Sequence, residues 1–232
     1  MSQTFVLVHG AWHGGWCWER VAALLADKGR RVFTPTLTGL AERAHLMSRD
    51  IRLATHIADV VDLVRSERLT DIVLVGHSYG GFVVSGVAEQ VAVASIVFLD
   101  AFVPESEQCL FDLTAPATRQ VIEAAQQKGD IAVPPRPAEF FRVNEKDRAW
   151  VDAMCTPHPL ATLTERIALT GARDRIARKT YIRAQDYPNP GFDAALAKVK
   201  ADPAWRVYAL PCGHDVMIDM PQRLAEILLE VA

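Results

Sequence analysis

The strongest constraint on the fold comes from three short stretches, each with a run of four apolar residues. They are FVLVHG (5–10), DIVLVG (71–76) and SIVFLD (95–100). A strand with one wet face would alternate apolar and polar residues, and these runs do not. Such strands are buried on both faces and need helices above and below them. The intervening sequence supplies those helices. Residues 16–28 place Val21, Leu24 and Leu25 inward and stop at Gly29. Residues 55–68 place Ile57, Val60, Val61 and Val64 on one face. RVFTP (31–35), KTYIRA (179–184) and WRVYAL (205–210) complete six strands. A helix is expected around 193–201 and another at the chain's end, with Leu224, Ile227, Leu228 and Val231 inward, Asp219 as its N-cap and Pro221 in its first turn. The pattern predicts an α/β protein with a six-stranded, mainly parallel sheet and helices on both faces.

Residues 104–177 break this rhythm. They hold VPPRP, TPHP and several amphipathic pieces, with no clear strand. The stretch is far longer than a usual crossover. It is expected to be a helical cap inserted over the carboxyl edge of the sheet, where ligands of open α/β sheets bind. Residues 1–103 and 178–232 then form the core.

Of the 232 residues, half are apolar and 23% charged, and the net charge is −3, as expected for one large-cored unit. There is no basic run to suit nucleic acid or an anionic membrane, and no apolar stretch near the ~18 residues that would span a bilayer. The N-terminal MSQTFVLVHG lacks a charged leader region. Cys17, Cys109, Cys155 and Cys212 have no CxxC spacing and are expected to be reduced thiols in the cytoplasm.

The chemistry centres on VGHSYGG (75–81). Gly76-x-Ser78-x-Gly80 falls between a strand and a helix, the setting of a nucleophile elbow. The tight turn presents the Ser78 hydroxyl at the helix N-terminus, where developing negative charge is favoured. A serine needs a base. Among seven histidines, His214 has the right context, in LPCGHD between the last strand and the last helix. His9 and His77 suit packing and turn support, and His45, His56 and His158 have no helpful setting. Oxyanion donors are expected from the backbone N–H of Tyr79 and of Ala11, in the glycine-rich loop HGAWHGGW (9–16). Trp12, His13 and Trp16 in that loop are either core or pocket residues.

At HGAWHGGWCWERV, GHSYGG, FLDAFVPE and CGHDVMIDMPQRLAEIL the sequence resembles the α/β-hydrolase superfamily, in its hydroxynitrile lyase and plant methylesterase branch with bacterial esterase relatives. The resemblance spans nearly the whole chain and is weakest over 104–177. It implies a six-stranded α/β-hydrolase fold, no cofactor and no metal, small-ester substrates, and roles for Ser78, His214 and the Ala11/Tyr79 pair. In the lyases a lysine follows the catalytic histidine and a threonine stands in the HG loop. Here those places hold Asp215 and Ala11, which favours the esterase.

The acid is the less settled member. In the family it usually lies in the loop after the penultimate strand, where Tyr187 aligns and Asp186 falls one residue short, followed by Pro188 and Pro190. Asp100 ends an apolar strand, an odd place for a charge without a partner, and some relatives of the fold take their acid there. Asp100 is the expected acid, with Asp186 and then Asp215 as alternatives. The expected reaction is hydrolysis of a small carboxylic ester through an acyl-enzyme. A carbon–carbon bond lyase or hydrolase and a weakly catalytic small-molecule receptor stay open, as does a homodimer. Phe102, Phe140, Phe141 and Trp150 are candidates for an apolar acyl pocket.

Overall fold

The computed structural model describes residues 3–232; the first two residues of the stretch read for a targeting signal lie outside the described residues. The strands are β1 (Thr4–Val8), β2 (Arg31–Phe33), β3 (Ile72–His77), β4 (Ser95–Leu99), β5 (Ala132–Val133), β6 (His158–Pro159), β7 (Arg178–Ala184) and β8 (Trp205–Leu210). Six of them form one parallel sheet in the order β2-β1-β3-β4-β7-β8. The central β1, β3 and β4 are buried at every residue, as their unbroken apolar runs require. The edges β2 and β8 are partly exposed. Strand order reverses between β1 and β3. Their carboxyl ends, the HG loop and the elbow, therefore flank the crevice where such sheets bind ligands.

The helices in chain order are α1 (Glu19–Asp27), α2 (Leu53–Ser66), α3 (Gly80–Ala88), α4 (Leu110–Leu113), α5 (Pro116–Lys128), α6 (Arg148–Met154), α7 (Leu160–Thr164), α8 (Pro190–Lys200), α9 (Val216–Asp219) and α10 (Pro221–Val231). Helix α1 packs with α10, and α2 packs with α3. Helix α3 is buried all round, and its glycines, alanine and serine let it lie close over the sheet.

Several local expectations need correction. The first helix opens as a 3-10 turn over Gly15–Trp18. Strand β2 stops at Phe33, before Pro35. Helix α8 begins three residues early, where the Asn189 side chain accepts from Gly191 N–H at 3.0 Å. Asp219 does not cap the last helix; Met220 takes that place. The Asp219 carboxylate instead accepts from the Asn144 backbone (3.0 Å), the Asn144 side chain (2.7 Å) and Gly213 N–H (3.2 Å). It ties the 104–177 stretch to the loop before His214. Between β4 and β7 lie α4 to α7 and, against expectation, a two-residue antiparallel ladder of β5 with β6. Two residues are too few to show a period in sequence.

Candidate active site

Ser78 sits directly after β3 with φ of +54°, the left-handed backbone that only a constrained turn imposes on a serine. The turn is locked by Ser78 N–H donating to Leu99 O (3.2 Å) and Gly81 N–H donating to Ser78 O (3.1 Å). A side chain at Gly76 would put its Cβ 2.7 Å from the Gly80 carbonyl oxygen, so the elbow closes only with glycine there. Tyr79 stands at the N-cap of α3. Its side chain leaves the site: the hydroxyl is 2.9 Å from His56 Nδ1. The HG loop approaches from β1, and a Cβ on Gly10 would lie 2.9 Å from Ser78 Cβ.

Ala11, Trp12, Ser78 and His214 line one cleft together with Phe102, Leu110, Thr114, Thr118, Phe140, Phe141, Leu163, Tyr187, Asn189 and Phe192. It encloses about 440 Å³ between atoms, part of it open to solvent. Three of the four aromatic candidates line it. Trp150 does not; its ring meets Trp16 at 5.0 Å, beneath the Arg20 guanidinium. Of the loop residues left open, Trp12 faces the cleft, while Trp16 stacks on His13 at 5.2 Å, outside its lining.

His214 is buried and held from three sides. Its backbone N–H donates to Phe141 O (2.8 Å). Phe192 and Tyr187 stack on the ring at centroid distances of 5.2 and 4.6 Å. Its Nδ1 is 2.7 Å from Asp100 Oδ2. Asp100 lies one residue beyond β4 with φ of +41° and no exposure. Its other oxygen accepts from Arg183 Nη1 (2.6 Å) and from Ala184 N–H (3.0 Å). Arg183 also reaches Tyr187 O (2.7 Å) and Asp193 (2.8 Å). Burial disfavours its charge, but Asp100 and Asp193 outweigh burial and keep the guanidinium firmly protonated. The buried charge of Asp100 thus has the partner that the sequence reading did not identify. The signal was available: Arg183 interrupts a buried strand as Asp100 ends one.

The two alternative acids lie elsewhere. Asp186 is exposed. Its backbone N–H donates to Cys212 O (3.1 Å), and its carbonyl accepts from Arg142 (2.5 Å). Asp215 is fully buried and faces His13 Nε2 at 3.0 Å. Burial would raise its carboxyl, but the fields of His13, His77 and His214 bring it down to about 2. His9 and His77 serve packing and turns as expected. His9 takes the Leu37 N–H on Nε2 (3.1 Å) and burial drives it down to about 3. His77 Nε2 donates to His214 O (3.1 Å). His56 and His158, without a context in sequence, are buried and meet the Tyr79 and Thr162 hydroxyls.

The sequence matches the description "Alpha/beta hydrolase family" over residues 5–227. It is 43% identical over 235 residues to a carbendazim hydrolyzing esterase of Nocardioides sp. (strain SG-4G), covering 97% of both chains. It is 27% identical over 251 residues to putative methylesterase 13, chloroplastic, of Arabidopsis thaliana, with all of this chain and 56% of the plant protein aligned. Among solved structures, an extracellular alpha/beta-hydrolase from a Paenibacillus species superposes with a TM-score of 0.86 at 23% identity, over 99% of each chain, a likeness of fold. The strained Gly76-x-Ser78-x-Gly80 turn on a parallel sheet, the family match across nearly the whole length and the 43% identical esterase agree, and the chain belongs to the alpha/beta hydrolase family.

Proposed function

We propose that the protein hydrolyses small carboxylic esters with Ser78 as nucleophile, His214 as base and Asp100 as acid. His214 Nε2 takes the Ser78 proton as Oγ attacks the ester carbonyl. The backbone N–H groups of Ala11 and Tyr79 receive the oxyanion, reinforced by the N-terminus of α3. The imidazolium returns its proton to the leaving alcohol, and water then releases the acyl group by the reverse path. Asp100 holds Nδ1–H, fixes the tautomer and offsets the charge that forms on the ring. No cofactor enters these steps. The observation that carries the reading is the 2.7 Å contact of a buried Asp100 with His214, in a cleft His214 shares with a left-handed Ser78.

We further propose residues 104–177 as a cap over this cleft, since Leu110, Thr114, Thr118, Phe140, Phe141 and Leu163 come from them. None of the described lining residues is Lys, Arg, Asp or Glu, which suits an uncharged acyl group. The Nocardioides relative makes carbendazim one substrate to try beside methyl and nitrophenyl esters. A cytoplasmic location is supported by four unpaired cysteines. No helix among the described residues is long and apolar enough to cross a membrane. The lyase alternative is disfavoured because the residue after His214 is an aspartate bound to His13.

The test is direct. A sulfonyl fluoride should label Ser78, and Ser78→Ala should lower kcat by several orders of magnitude with the fold intact by circular dichroism. Label on another residue, or near-normal turnover by the variant, would refute the assignment.

A further inference from the structure

The buried histidines differ in what their two ring nitrogens face. His9 has a carbonyl on Nδ1 (Gly10 O, 2.8 Å) and an N–H on Nε2 (Leu37). His56 has a carbonyl on Nε2 (Thr38 O, 2.9 Å) and the Tyr79 hydroxyl on Nδ1. His158 accepts the Trp12 N–H on Nδ1 (3.3 Å) and meets the Thr162 hydroxyl on Nε2. Each suits a neutral ring with one N–H and one lone pair. Burial agrees, lowering all three. His77 donates through Nε2, and its Nδ1 has no hydrogen-bond partner among the described residues.

His13 has acceptors on both sides. Its Nδ1 is 2.8 Å from the Ala11 carbonyl oxygen and its Nε2 is 3.0 Å from Asp215 Oδ2. A carbonyl and a carboxylate only accept. Beside an ionised Asp215, a neutral ring would leave one of its lone pairs facing another at hydrogen-bond distance. We infer that His13 is a buried imidazolium, clamped between Asp215 and the Ala11 carbonyl, and that it is a positioning residue for the oxyanion loop.

The loop needs such a clamp. Trp12 has φ of +66°, a strained conformation for a tryptophan. The peptide joining Ala11 to Trp12 is pinned at both poles: His13 donates to its carbonyl and His158 accepts from its N–H. The preceding peptide carries the Ala11 N–H assigned to the oxyanion. Asp215 follows His214 directly, so the ion pair also couples the oxyanion loop to the base. The charge state rests on these hydrogen bonds and on an ionised Asp215, whereas its effect on catalysis rests on the proposed Ser78 esterase.

The surroundings set the direction of the pH response. Burial opposes a charge on His13, but Asp215 outweighs it and His13 is raised above the ordinary histidine value. His77, with its ring centroid at 6.1 Å, is held well down by burial and by the fields of His214 and His13, so it stays neutral beside this charge. The other facing groups are uncharged: Trp16 stacks on the ring, Phe141 stands edge-on at 5.8 Å, the His9 ring is neutral, and burial, with the field of Asp215 added, pushes up the thiols of Cys17 and Cys155. Activity that depends on the imidazolium is therefore complete below this raised value and lost as pH rises through it.

Nitrogen NMR of the full chain with labelled imidazoles tests the charge state. At about pH 8, above the ordinary histidine value of about 6.5, both ring nitrogens of His13 should still be protonated. Contacts with the Trp16 ring assign the signal without any variant. One protonated and one bare nitrogen, as in a neutral His13 beside a protonated Asp215, would overturn the inference. Kinetics tests the role. His13→Gln should lower kcat about 10- to 100-fold with KM little changed and should remove the alkaline fall of kcat/KM. Asp215→Asn should move that fall to lower pH. An alkaline limb unchanged in both variants would overturn the positioning role. Failure of Ser78 labelling would instead count against the esterase mechanism and leave the charge state as measured.

Discussion

Asp100 and Asp186 stand just beyond the ends of neighbouring parallel strands, β4 and β7, and their surroundings are opposite. Asp100 is fully buried, and its two oxygens accept from His214, Arg183 and the Ala184 N–H. Asp186 is exposed, and the bonds it makes to Cys212 and Arg142 are through its backbone. The family's usual acid place falls beside Asp186, on Tyr187, and there the chain presents an aromatic ring that stacks on the imidazole. A carboxylate can orient a buried imidazole only if its own charge is compensated in that low-dielectric place. Strand β7 brings Arg183 to the end of β4, so the compensation exists at Asp100. The loop after β7 supplies the imidazole's aromatic packing through Tyr187. Position along the chain suggests a candidate, and the donors around a carboxylate decide its role.

The largest effect should come from Asp100→Asn. The side chain keeps its shape but loses its charge and can trap the wrong His214 tautomer, a change worth around 10⁴ in kcat in a comparable triad. Turnover of a nitrophenyl ester measures it. A loss below about tenfold would break the contrast between the two aspartates.

Next in size is Arg183→Met. It leaves Asp100 a buried carboxylate without its cation, which costs about 3–5 kcal/mol of stability. A denaturant midpoint well below that of the unaltered protein should show it. Adding Asp100→Asn to that variant should recover part of the loss, because the stranded charge is then gone. Additive losses in the double variant would mean that Arg183 acts through Asp193 and Tyr187 rather than through Asp100.

The legible parts of the fold are those where one physical requirement dominates. Phe5–Val8, Ile72–Val75 and Ile96–Leu99 can only be interior strands, and Gly76, Ser78 and Gly80 between strand and helix leave one geometry open. What sequence hides is partnership across distance. Asp215 meets His13, 202 residues away, and Arg183 meets Asp100, 83 residues away. No period or motif joins such pairs; they appear when parallel strands and their loops come side by side. Asp219 was misread for the same reason. It precedes a helix as a cap should, but Asn144 and Gly213 claim its carboxylate. The ladder of Ala132 and Val133 with Pro159 and His158 likewise depends on chain segments far apart.

The smallest effect, and the sharpest check on the contrast, belongs to Asp186→Asn. The side chain is exposed, so its charge is screened by water and salt before it reaches the buried His214. The main-chain bonds to Cys212 and Arg142 survive the substitution, because asparagine leaves the backbone as it is. The ring that packs on the imidazole belongs to Tyr187, and burial there pushes its hydroxyl up to about 12, so it stays neutral and insensitive to the lost charge. Surface substitutions of this kind change stability by about 0.5 kcal/mol or less. The kcat of Asp186→Asn should therefore stay within about tenfold of the unaltered enzyme, with KM and the thermal midpoint little changed. The decisive quantity is the ratio of the two Asp→Asn effects, measured on one substrate in one buffer. A ratio of about 10³ or more in favour of Asp100 fits an acid carried by β4. A ratio near one, or reversed, would mean that the loop after β7 reaches the imidazole during turnover.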